Sequence, residues 1–431
     1  MLHSNLAINE NGHLTICGYD TVHLAKEYGT PLYIMDEDMI RENCRIYKHA
    51  LESNFGIGSM PLYASKAFSC KRVYEIAKEE GIGCDVVSGG ELYTAFKAGF
   101  PMEKVYFHGN NKTDSDIKLA LDCKVGYFVV DNKEELVELN NQAKKLNIKQ
   151  KILLRITPGI DPHTHKAIIT GNVDSKFGSA IETGQAMSIV KSALSQSNIE
   201  LCGVHCHIGS QIFECDPFTD AAAIMIDFIR QIKDETGHEM KILNLGGGMG
   251  VRYIEEDPII DYKENIRKIS EKIKGYAEKH DVKLPIILME PGRSLVAAAG
   301  ITLYTVGSVK EIPGFKNYVS IDGGMPDNPR YALYQSLYTC IIANKATEKA
   351  DYVCNVAGRC CESGDLIAEN TKLAHPEKND ILAVLCTGAY NYSMASHYNR
   401  LPKPPVVMVS KNNKYIAVKR ESFDDLIRND L

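Results

Sequence analysis

No stretch of this sequence approaches the roughly 18 consecutive apolar residues that mark a membrane span, and the opening MLHSNLAINENG lacks the basic-then-apolar pattern of a secretory signal. A cytoplasmic protein without membrane association is expected. An excess of positive charge is lacking too. The 49 Lys and Arg are scattered among 55 Asp and Glu, for a formal net charge of −6, so nothing favours tracking of a phosphate backbone and no nucleic-acid partner is expected. The 13 cysteines include no CxxC pair. Their odd number and irregular spacing suit reduced, mostly buried thiols better than a disulfide framework or a zinc site. Neither GxGxxG nor a Walker loop occurs, which removes most support for dinucleotide or ATP binding. Low-complexity tracts are absent, and with 44% hydrophobic and 24% charged residues the chain can bury a large core.

The 431 residues exceed one ordinary domain, whereas an α/β barrel of about 250 residues plus a smaller domain fits the length. Between residues 60 and 293, eight short apolar or β-rich runs alternate with segments of helical periodicity: MPLYASKA, GCDVVS, VYFHG, YFVVDN, ILLRITPG, GVHCHIGS, ILNLGGG and PIILMEPGR. Eight strand-helix repeats predict a closed (β/α)8 TIM-like barrel, since closure leaves no edge strand to protect. Polar residues gather at the predicted C-terminal strand ends: Lys66, Asp85, His108, Asp131, Arg155, His207 and Glu290. In such barrels that is the catalytic face. Beyond residue 298 the runs are β-rich, and the opening LAINENGHLTICG reads as strand, turn and strand. A barrel over residues 31–297 is therefore expected, with residues 1–30 and 298–431 forming one mostly β domain.

Several motifs carry chemistry. Lys66, at the end of the first strand in YASKAFS, has apolar and aromatic neighbours that would hold its amine partly dry, a setting for Schiff-base formation. The alternative is an ordinary strand-end lysine. HCHIGSQ is predicted to place His205 and His207 on one face of a strand, followed by Gly209 and Ser210, whose donors suit a phosphate. Two His at this spacing without a clear third ligand argue weakly for metal, and none is expected. The glycines Gly246, Gly247 and Gly248 follow strand seven, where phosphate sites commonly form. EPGRS ends strand eight with Glu290, Pro291, Gly292 and Arg293; a carboxylate there could pair with a protonated pyridine nitrogen, or simply with the arginine. In the β-rich region, GRCCESGD puts Cys361 beside Glu362, and GAYNYSMAS offers Tyr390. Cys361 could return a proton to carbon and Tyr390 could bind a phosphate, against a bland reading as a loop thiol and a packing ring.

In order, YASKA, CDVVSGGE, HIGSQ, GGG, EPGR, CESGD and GAY resemble the diaminopimelate decarboxylases, within the group that includes ornithine decarboxylase and alanine racemase. The resemblance runs nearly end to end. It implies pyridoxal 5'-phosphate as cofactor, with Lys66 carrying its aldehyde, His207 stacked on its ring and Glu290 facing its nitrogen. Asp85, Ser210, Gly246 to Gly248, Pro291, Gly292, Arg293 and Tyr390 would complete the cofactor site. It further implies a homodimer with shared sites, in which Cys361 and Glu362 reach the partner's barrel. Substrate selection would fall to Arg293, Arg330, Tyr334, Glu362 and Tyr390, because the non-reacting amino-acid centre of meso-2,6-diaminopimelate needs guanidinium groups for its carboxylate and an acid for its ammonium. One departure is Tyr331, where the family usually has proline after the arginine; Arg330 and Tyr334 keep their spacing. The expected reaction is decarboxylation to L-lysine. The alternative is another basic amino acid or a carboxylated polyamine, whose lack of a second carboxylate would call for an acid in place of the arginines. A racemase of this fold would favour a weaker electron sink than Glu290 provides, and a non-catalytic cofactor carrier would not need Cys361 or Glu362.

Overall fold

The computed structural model describes residues 2–160 and 175–431. By internal contacts the chain forms two compact units, one of Asn43–Gly250 with Ile260–Gly292, the other of the stretch up to Glu42 with Val251–Ile259 and Arg293–Leu431.

In the first unit, eight parallel strands among the described residues close into a barrel: Met60–Ala64, Gly83–Val86, Val105–Phe107, Tyr127–Val130, Gln150–Thr157, Ile199–His205, Ile242–Asn244 and Ile286–Met289. Closure comes from pairing of Leu288 and Met289 with Met60 and Pro61. Each strand coincides with a run read from the sequence. A short strand, Ser179–Ala180, adds to the fifth. Residues from around the ring, among them Leu62, Tyr106, Val129, Leu153, Ile242 and Leu288, form one buried cluster. The cluster fills the barrel as a packed core, which leaves the polar strand ends as the reactive face.

The intervening helices are amphipathic, as the exterior layer requires. In Tyr262–Lys279 the residues Ile266, Ile269, Ile273 and Ala277 recur at helical spacing and are buried. Asp261 caps this helix by accepting a hydrogen bond from the Glu264 N–H. Burying each isoleucine contributes about 1.5–3 kcal/mol, well above the ~1 kcal/mol of the cap. Packing therefore dominates and the cap fixes where the helix starts. No helix among the described residues is long and apolar enough to cross a membrane.

The second unit is mostly β. Leu6–Ile8 and Leu14–Ile16 pair antiparallel, as the strand-turn-strand pattern predicted. The Asn9 side chain closes the turn by accepting from the Asn11 and His13 N–H groups. Strand Leu32–Asp36 lies between Gly300–Ile312, antiparallel, and Val406–Ser410, parallel. Leu6, Leu14 and Ile16 share a buried core with Ile301, Leu303, Leu385, Val407 and Val409. N-terminal and C-terminal segments thus make one hydrophobic interior. The 13 cysteines are free thiols, most of them buried, while Cys361 is exposed.

Candidate active site

Strand alternation and the βα turns bring a set of polar side chains to the C-terminal end of the barrel. Lys66 sits in the tight turn Ser65–Ala67, directly after the first strand. It is exposed rather than partly dry. Its aromatic neighbours Tyr63 and Phe68 are both 1% exposed, spending their surface on the core instead of covering the amine. The Lys66 charge is nevertheless felt by Asp85, Glu91 and His207.

Glu290, which follows strand eight, is the centre of a buried network. Its Oε1 accepts a 2.6 Å hydrogen bond from Asn244 Nδ2 and lies 2.9 Å from His108 Nε2. The His108 contact is off the line of a straight N–H bond. Oε2 lies 3.2 Å from His205 Nε2. Burial works to raise the Glu290 pKa, but His108 and His205 outweigh it by charge and hydrogen bonding and hold the carboxyl well below the ordinary range. The partners found for Glu290 are two imidazoles and an amide, not the arginine that the EPGR motif also allowed.

Asp85 is buried in the second strand, its Oδ1 3.8 Å from His108 Nε2 and without a hydrogen-bond partner among the described residues, and burial pushes its carboxyl up to about 7. His205 ends the sixth strand and His207 lies just beyond it. The strand stops because the chain turns into the Gly209 loop. His207 and Ser210 are half-buried there, and burial drives the His207 pKa well below its usual value. Ligand atoms of His108, His205 and Glu290 lie within 4.8 Å of one another, a spacing a metal could use, but the Asn244 donor already occupies Glu290 Oε1.

The glycine turn has a packing reason of its own. A Cβ on Gly246, Gly247 or Gly248 would stand 2.5, 2.1 or 2.5 Å from the carbonyl oxygens of Cys206, Glu290 and Gly209 respectively. Only glycine lets the loops after strands six, seven and eight meet this closely. The Gly246 N–H is already engaged, donating to Asn244 Oδ1 at 2.9 Å. A Cβ on Gly292 would likewise stand 3.0 Å from the Ala64 backbone oxygen, and the Pro291 carbonyl accepts from the Ala64 N–H. The EPG turn is thereby locked to the Lys66 strand.

In the β-rich unit, Arg293 and Arg330 are 6% and 7% exposed. Their guanidinium carbons lie 4.9 and 5.0 Å from the Tyr390 ring centroid. Arg293 also donates to the Tyr253 hydroxyl at 2.8 Å, and Arg330 lies 5.3 Å from the Tyr334 ring. Tyr390 has a left-handed backbone, φ 69°, costly for a bulky residue and typical of functional loops. Tyr331, in the place of the usual proline, sits within the helical turn Arg330–Tyr334, and its hydroxyl donates to Glu369 at 2.6 Å. Cys361 and Glu362 are exposed on a loop whose base is tied by Asp365, which accepts from the Cys360 and Met325 N–H groups. Sequence reasoning missed Asn244, Tyr253 and the roles of His108 and His205 around Glu290. Position at the strand ends was the only available signal.

A pyridoxal group fits this barrel mouth: an ionised buried carboxylate, an exposed lysine, and the buried polar atoms Asp85 Oδ1 and His205 Nδ1 without hydrogen-bond partners among the described residues. Residues 37–297 match the pyridoxal binding domain of the pyridoxal-dependent decarboxylases, the class that barrel and site define. Over 97% of both chains, the sequence is 48% identical to a diaminopimelate decarboxylase of Bacillus methanolicus. It is 47% identical to that of Bacillus subtilis over 100% of this chain and 98% of the relative. A crystal structure of the M. jannaschii diaminopimelate decarboxylase with L-lysine superposes with a TM-score of 0.92 at 36% identity, covering 100% of this chain and 99% of that one. The chain belongs to the diaminopimelate decarboxylase family.

The His205 environment makes a pH prediction. Burial pushes its pKa down to about 4, against the pull of Glu290, whereas an unfolded histidine titrates near 6.5. Stability is then complete above about pH 6.5 and declines as pH falls toward 4, by up to about 3 kcal/mol, as the unfolded chain takes up the proton first. Urea unfolding at pH 7 and pH 4.5 should show a smaller pH effect in His205→Gln than in wild type. Equal effects would remove His205 as a source.

Proposed function

We propose that this protein decarboxylates meso-2,6-diaminopimelate to L-lysine and CO2 with pyridoxal 5'-phosphate, as the last step of lysine biosynthesis in the cytoplasm. The observation that carries this reading is the pair of buried guanidiniums, Arg293 and Arg330, gathered within 4.9 and 5.0 Å of one tyrosine ring. A decarboxylase of simple diamino acids has no second carboxylate for them to hold. Arg293 and Arg330 would bind that carboxylate, Tyr334 and Tyr390 would shape its pocket, and Glu362 would take the distal ammonium.

On this reading Lys66 holds the cofactor covalently and His207 covers its ring. Asp85, Ser210, Gly246 to Gly248, Pro291, Gly292, Arg293 and Tyr390 complete its binding. When bound, the cofactor supplies an electron sink for the pair left by the departing CO2. Glu290, ionised and fixed by Asn244, His108 and His205, faces the ring nitrogen. Cys361 Sγ–H then gives its proton to the carbon that lost CO2, forming the new C–H bond, and the thiolate is reprotonated from solvent. The decisive test incubates the purified protein with meso-diaminopimelate, ornithine, arginine and lysine and follows CO2. Release from diaminopimelate alone is expected; preference for ornithine or arginine would overturn the assignment.

The exposed Cys361 and Glu362 support a homodimer in which each chain completes its partner's barrel. Mixing inactive Lys66→Ala with inactive Cys361→Ala under subunit exchange should restore roughly a quarter of wild-type activity, since half the dimers are mixed and each then has one intact site. No recovery, with exchange seen by native mass spectrometry, would place both residues in one chain's site.

A further inference from the structure

Asn244 ends the seventh strand, is fully buried, and makes two hydrogen bonds that fix each other. Its Oδ1 accepts from the Gly246 backbone N–H at 2.9 Å. A backbone N–H can only donate, so the amide cannot be flipped, and Nδ2 must face Glu290 Oε1 at 2.6 Å. An amide N–H is a donor that never yields its proton. Oε1 therefore has to be an acceptor, a condition the ionised carboxylate meets on both oxygens.

The neighbouring groups do not impose this. Glu290 is faced by His108 from the third strand and His205 from the sixth, with Asp85 and Arg155 acting from the second and fifth. The imidazoles can donate or accept according to tautomer, and the Glu290 charge disfavours ionisation of Asp85. Among the hydrogen-bond partners described for Glu290, Asn244 alone has a direction fixed by the backbone. Its 2.6 Å bond is also shorter than the 3.2 Å bond at Oε2. The better-held oxygen is thus Oε1, while Oε2, engaged by His205 through the longer bond, keeps a second lone pair for a further donor.

We propose that Asn244 is a positioning residue for Glu290: anchored by the glycine turn, its amide holds Oε1 and so presents Oε2 to the cofactor's ring nitrogen. This rests on the cofactor reading above. It also makes one residue common to the glycine turn and the acid, so that displacing either is felt by the other.

Two variants of the holoenzyme separate the two bonds. Asn244→Leu keeps the shape and loses both; Asn244→Asp keeps the acceptor for Gly246 and replaces the fixed donor to Glu290 with a carboxyl that donates only when protonated. With cofactor labelled at the ring nitrogen, the 15N resonance of the bound cofactor should move in Asn244→Leu from the pyridinium position toward the neutral one, and turnover per bound cofactor should fall at least tenfold. In Asn244→Asp, two buried carboxyl groups must share a proton, so the acid limb of kcat/KM should rise by a pH unit or more while cofactor affinity changes less than threefold. A wild-type 15N position and turnover within threefold in Asn244→Leu would overturn the proposal. So would a wild-type acid limb in Asn244→Asp, which would restrict Asn244 to the glycine turn; this variant decides alone if leucine prevents folding. The nitrogen signal needs no substrate, so it distinguishes failure here from a wrong choice of substrate, which only CO2 release reports.

Discussion

Lys66→Ala is expected to lower CO2 release from meso-2,6-diaminopimelate by at least about a thousandfold, ~4 kcal/mol of barrier, with the fold retained. The side chain is exposed, so little packing is lost on truncation. On the proposed reading its loss is chemical, because the amine would be the anchor through which the cofactor is held and exchanged with substrate. Borohydride reduction of wild type, followed by peptide mapping, should place the cofactor on Lys66, and the variant should carry none. An adduct on another lysine, or activity surviving in the variant, would sink the assignment.

Glu290→Gln is the second large effect. The carboxylate sits among donors, with Asn244 Nδ2 at 2.6 Å and His205 Nε2 at 3.2 Å. A glutamine has one acceptor oxygen where the carboxylate has two, so either one of its own N–H groups confronts a neighbouring donor or His205 must change tautomer to accept it. It also carries no charge to hold a proton on a ring nitrogen. Turnover at saturating cofactor should fall well over tenfold, more than roughly 1.4 kcal/mol. Unchanged turnover would make Glu290 a structural acid whose place in the network serves the barrel alone.

The barrel was legible because its signal is local. Each strand run begins within a few residues of where the structure starts it, and the apolar spacing in Tyr262–Lys279 predicts the face that is buried. Residues at strand ends could likewise be nominated, since the barrel's polarity puts them on one face. What the sequence does not carry is which of them touch. His108 and Glu290 are separated by most of the barrel, and nothing in VYFHG or EPGR specifies their contact at 2.9 Å. Asn244 was overlooked for a related reason: in ILNLGGG the glycines draw attention, although the asparagine orders both their turn and the acid. Lys66 shows the opposite error. Hydrophobic neighbours in sequence suggested a dry amine, but Tyr63 and Phe68 bury their rings in the core.

The strand Leu32–Asp36 has a consequence for how the molecule is made. Met35 pairs with Gly300 on one side and Met408 on the other. Met35 and Met408 are about 370 residues apart, so on a ribosome adding about 5–20 residues per second the earlier strand waits roughly 20 to 75 seconds for its parallel partner. Throughout that interval an apolar strand whose residues are all buried in the finished protein has an unpaired edge. The barrel segments are synthesised during the wait and find their partners sooner, which makes the β-rich unit the late and aggregation-exposed step of biogenesis. Truncation before Val406 would make that exposure permanent.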